Sequence, residues 1–180
     1  MFKQLKGEKM KIFKRSQSVL VLVLSVMFFY ACSKDSNPVV DPINVVSAEA
    51  KLTLNGAGYT NKAVTLANGI GGYSVSDTVT AIQFSGKVDN DSLFFAIIFR
   101  GNQAGTFGWN DDDGTIIYKT TSTGSFLYYG ITQGTTTVSS YGAVTGKIEG
   151  TINGKLIEQT SQAELNITGS FSAVRIPDIQ

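Results

Sequence analysis

The chain of 180 residues has no histidine and a single cysteine, Cys32, so the usual nucleophiles and bases of enzyme sites are scarce. Without imidazole there is no Ser-His or Cys-His pair, and one thiol cannot build a zinc site of nitrogen and sulfur ligands. Carboxylates, Lys and Tyr remain. Paired carboxylates would suit glycoside hydrolysis, and Glu149, Glu158 and Glu164 are the candidates on strands or strand ends. Strand alternation sets Glu149 opposite Ile148 and Ile152, and Glu164 opposite Leu165, so both are expected to face solvent. The densest charge, Asp111-Asp112-Asp113-Gly114, invites a calcium reading, but Trp109 occupies what would be the first ligand position. It reads as a solvated hairpin loop. The chain is therefore expected to be neither an enzyme nor a cofactor or metal protein. Aromatic side chains are the other groups with binding chemistry: Trp109, Tyr118, Phe126, Tyr128, Tyr129 and Tyr141 gather in the second half. Sugar rings stack on such faces. Trp109, Tyr118, Tyr128 and Tyr129 are the candidate ligand-binding residues, Trp109 first because polar loop neighbours flank it.

Cys32 points to different chemistry. A basic leader of Lys3, Lys6, Lys9, Lys11, Lys14 and Arg15 precedes an apolar run from Val19 to Ala31, which is too short to span a bilayer as a stable helix. The run ends in Phe29-Tyr30-Ala31-Cys32, which resembles a lipobox, where a small residue precedes a cysteine whose sulfur takes a diacylglycerol. Tyr30 is bulkier than usual there, and Phe29 stands where Leu is commonest. Residues 1–31 thus read as a lipoprotein signal peptide, and 32–47 as a lipidated tether containing Pro38 and Pro42.

Removing residues 1–31 takes six of the 15 basic residues and one of the 14 acidic ones, leaving nine against thirteen and a net charge of −4. Nucleic acid is then an unfavoured partner, and the membrane is held by acyl chains rather than by charge.

From residue 48 to 180 the text turns to Thr, Gly, Val, Ile and aromatics with period two. Thr80, Ile82, Phe84, Gly86 and Val88 alternate with polar neighbours; Val144 to Ile152 and Ala163 to Ala173 do the same. Leu93 to Phe99 is an unbroken apolar run, as expected of a strand covered on both faces at the centre of the core. Asn55-Gly56, Asn68-Gly69 and Asn153-Gly154 read as tight hairpin turns, and Asp89-Asn90-Asp91 and 110–114 as longer loops. Gly146, Gly150 and Gly169 suggest bends or bulges. The expectation is an all-β, single antiparallel β-sandwich or flattened β-barrel of about eight to ten strands.

In their order, Leu52-Thr53-Leu54-Asn55-Gly56, Gly105-Thr106-Phe107, Val144 to Thr151 and Ile167-Thr168-Gly169-Ser170-Phe171 resemble a family of small β-rich lipoproteins of the Bacteroidetes type, a domain of unknown function. Cys32-Ser33-Lys34-Asp35 likewise resembles the Lys-plus-acid signals that send such lipoproteins to the cell surface. The resemblance implies a lipid anchor on the outer membrane, at its surface or periplasmic face, and an all-β domain. Three functions stand open. The domain binds a glycan or an envelope partner; it is a structural or assembly lipoprotein with no small-molecule ligand; or it is a small glycoside hydrolase. A concave aromatic patch would favour the first, and a long free strand edge the second.

Overall fold

The computed structural model describes residues 47–109, 114–124 and 126–180. The signal peptide, Cys32, the tether as far as residue 46 and the acidic run Asp111–Asp113 lie outside the described residues. Among the described residues nine strands follow in chain order: β1 (Ala50–Gly56), β2 (Tyr59–Ser74), β3 (Val79–Val88), β4 (Asp91–Arg100), β5 (Gly105–Gly108), β6 (Gly114–Thr120), β7 (Phe126–Tyr141), β8 (Lys147–Glu158) and β9 (Glu164–Arg175). The fold is all-β, within the expected strand number.

Pairing runs β1-β2-β3-β4-β6-β7-β8-β9 and returns to β1, each neighbour antiparallel, so eight strands make a ring. A ring of this size is just wide enough for side chains to fill its interior. The sixteen-residue β7 makes closure possible. Its first part pairs with β6 from Phe126 to Tyr129; beyond the end of β6 the same edge takes β5, Gly105↔Val138 through Gly108↔Thr135, while the other edge carries β8. Register shifts between Ile131 and Gln133 and between Val138 and Ser140 bend it along that length.

Period two decides which residues fill the inside. Leu52 and Leu54 of β1, Ile82 and Phe84 of β3, Phe95, Ile97 and Phe99 of β4, and Leu165, Ile167 and Phe171 of β9 are all buried in one cluster. Phe84 stacks on Phe95, ring centroids 5.8 Å apart, and Phe99 on Phe107 at 4.6 Å. On β4 the alternate residues Ala96 and Ile98 are buried as well, and Phe94 is half-buried. The unbroken apolar run is thus covered on both faces, as its composition suggested.

Two expected turns are not turns. Asn68-Gly69 lies inside β2 at a register shift between Ala67 and Ile70, with Asn68 at φ 56°. A Cβ on Gly69 would come within 2.4 Å of the Phe84 ring, so this glycine is there for lack of space. Asn153-Gly154 lies inside β8, paired with Thr135 and Gly134 of β7. Asp89-Asn90, expected in a longer loop, forms the two-residue turn between paired Val88 and Asp91. The Asn55-Gly56 signal does end β1, Gly56 pairing with Tyr59 across Ala57 and Gly58.

Candidate functional site

Trp109 follows β5 and continues its pairing, its N–H donating to the Gly134 carbonyl of β7 at 2.8 Å. The side chain turns inward. It is 8% exposed and belongs to the core cluster, and its indole N–H donates to the Thr136 hydroxyl at 2.9 Å. The indole lies against two bare backbones: a Cβ on Gly134 would stand 2.4 Å from it, and one on Gly154 2.1 Å. The expectation of an exposed stacking face is therefore corrected, because two glycines on neighbouring strands open a slot inside the ring that the indole fills. An indole with its one donor satisfied and its faces packed is a core residue.

Tyr118 and Tyr128 occupy directly paired positions of β6 and β7, and Tyr129 pairs with Ile117, so the chain brings the three together along one strand pair. Only their backbone is described; the side chains on which binding would rest lie outside the described residues. Tyr141, the other tyrosine of that half, is half-buried, its hydroxyl 3.0 Å from that of Thr80, with the Arg175 guanidinium over its ring. Its ring meets that of Phe99 edge-on, centroids 6.5 Å apart.

The three carboxylates have separate surroundings. Glu149 is half-buried beside Lys147, and its carboxylate accepts from the Ser172 hydroxyl at 3.2 Å. Glu164 is exposed and pairs with Lys155 at 3.0 Å. Glu158, by contrast, is buried, 3% exposed. Its carboxylate is held by the turn that joins β8 to β9. The Ser161 hydroxyl first, then the N–H groups of Thr160 and Ser161, depress its pKa to about 2. Thr160 N–H donates at 2.9 Å, and Ser161 N–H also donates to the carboxylate. Such an acid is fixed as an anion and has no proton to give near neutral pH. The signal was present in the sequence: Glu158 shares the parity of Ile148, Ile152 and Leu156, but the supposed turn at Asn153-Gly154 interrupted the count.

On the outside the pairing aligns polar residues into rows. Asn55, Asn166, Lys155 and Gln133 stand opposite one another across β1, β9, β8 and β7; the next row is Thr53, Thr168, Asn153 and Thr135, and the next Lys51, Ser170, Thr151 and Thr137. Between the first two rows lies an open groove of about 430 Å³, lined by Gln133, Gly134, Thr135, Asn153, Gly154, Lys155 and Asn166. Its side chains are three amides, one hydroxyl and the Lys155 ammonium, each amide offering donors and an acceptor.

No family model matches the chain, and no curated protein or solved structure matches it either.

Proposed function

We propose that the chain is an exported lipoprotein of the β-rich Bacteroidetes type, anchored to the outer membrane through acyl chains on Cys32. On this reading its β domain is a non-catalytic module that binds a glycan or another component of the envelope. The observation that supports it best is the contrast between inside and outside. Phe, Leu, Ile and Trp109 fill the interior, whereas the exterior of β1, β9, β8 and β7 offers aligned hydrogen-bonding groups with a groove between them. With that interior occupied by side chains, a ligand is met on the outer wall rather than in the lumen.

The surroundings of the carboxylates support binding over hydrolysis. Glu149 and Glu164 are each paired with a lysine, and Glu158 with turn donors, whereas an acid catalyst needs a raised pKa. The assembly reading would gain from a long free strand edge. Among the described strands, β5 stands at an end of the pairing order, and it has only four residues. A glycan array probed with the protein tests the proposal: retention on at least one neutral glycan is expected, without turnover. Turnover of a chromogenic glycoside that disappears in Glu149→Gln or Glu164→Gln would transfer the assignment to a hydrolase.

A further inference from the structure

Deepening the binding-module reading and resting on it, we propose that the groove between β7, β8 and β9 is the binding site, and that its ligand is a neutral, hydroxyl-rich glycan lying across the strands. Three observations meet here. The groove is an open depression of about 430 Å³ on the outer wall. Its side chains, Gln133, Thr135, Asn153, Lys155 and Asn166, are of the kind that pair with vicinal hydroxyls, since amides donate and accept in one plane. They also repeat at the right interval. Register puts Asn166, Lys155 and Gln133 in one row and Thr168, Asn153 and Thr135 in the next. Neighbouring strands are about 4.8 Å apart, close to the length of one pyranose ring, so an extended glycan running across the sheet meets a polar side chain at each sugar.

Charge selects a neutral ligand. Lys155 brings the positive charge to the groove, and Glu164 lies 3.0 Å from its ammonium. A phosphate or polyuronate would have to compete with that carboxylate. A protein partner fits poorly, because protein contacts centre on Trp, Tyr and Arg anchors in fully desolvated pockets, and this open lining supplies amides, one hydroxyl, the Lys155 ammonium and backbone.

The groove carries its own reporter. Gly134 and Gly154 contribute to its lining, and the same two glycines abut the indole of Trp109 from the other side of the sheet. Trp109 is the only tryptophan in the chain. Its emission therefore senses the groove through one layer of backbone, although the residue itself is buried.

The detergent-solubilised full-length protein is titrated with cellohexaose, xylohexaose, maltohexaose and laminarihexaose, and with hexagalacturonate as the acidic comparison. Tryptophan emission and calorimetric heat are read together. At least one neutral hexasaccharide is expected to bind saturably and shift the emission. In Asn153→Ala/Asn166→Ala, affinity should fall about tenfold or more, as when hydrogen-bonding partners are removed; Thr65→Ala, on the exposed face of β2, should bind as wild type does. If the double variant loses its far-ultraviolet circular dichroism, Asn153→Lys, which fills the groove without emptying it, replaces it and should abolish binding. Equal affinity of wild type and a folded groove variant would overturn the groove while leaving the binding-module reading intact. Binding of hexagalacturonate alone would overturn the neutral ligand. Silence of the wild type toward every oligosaccharide, by both readouts and on the array, would remove the glycan reading along with the groove.

Discussion

Trp109 shows how one residue can invert a functional reading. Beside an acidic, turn-forming run it looks like a surface aromatic, yet what decides its place lies far along the chain in Gly134 and Gly154. Their missing side chains make the slot. Trp109→Ala is expected to cost about 3–5 kcal/mol in chemical denaturation, the range for emptying a buried aromatic site. Gly154→Ala should destabilise by about 1–3 kcal/mol through overpacking. A Trp109→Ala protein as stable as wild type would show that the indole is not in the core. Glu158 supports a prediction in pH. Its carboxyl has a folded pKa of about 2 against an ordinary 4.5, so the stability it contributes is present above about pH 4.5 and is lost as pH falls through 2. Glu158→Gln should melt several degrees below wild type at pH 7. The two melting curves should converge on acidification below pH 4, and a difference unchanged at pH 2 would show that the turn does not depend on the carboxylate.

For strands, the sequence was a good guide where alternation continued into a strand, but the alternation from Val144 overran it, since Val144 is exposed and Thr145 turns at φ 71° before β8 begins at Lys147. β3, β9 and the first part of β8 were legible from period two, and β4 from its unbroken apolar run. Truncating Phe95 or Ile97, both 0% exposed, to Ala is expected to cost about 2–5 kcal/mol in denaturant titrations. What was not legible is why a glycine is where it is. Asn-Gly specifies a hairpin only when the glycine is wanted for its positive φ. In Asn68-Gly69 and Asn153-Gly154 the glycine is wanted because a ring, Phe84 or Trp109, needs its space. A one-sequence reading sees the dipeptide and not the ring. The double partnership of β7 was hidden for a similar reason, since both β5 and β6 are short and only tertiary register reveals that they share one edge. The polar rows were likewise invisible, because Asn55, Asn166, Lys155 and Gln133 are neighbours by pairing and not by spacing.

At the scale of the whole molecule, closure of the ring is the organising feature. It gives each of the eight strands two neighbours, which removes the long edges on which strand addition depends, and fills the interior with side chains, so that under the proposed function recognition falls to the outer wall. A packed barrel of this kind is suited to present one face while tethered, and the tether is what Cys32 would supply. Three acyl chains hold far more firmly than one, so anchoring should be effectively permanent. If the domain works as a lipid-anchored module, the mass of the mature protein recovered from the membrane fraction will show it. A chain beginning at Cys32 that carries diacylglycerol and an amide-linked acyl group is expected, with Cys32→Ser left unprocessed or released from the membrane. A mature protein without lipid mass, or a Cys32→Ser variant processed and retained like wild type, would contradict it.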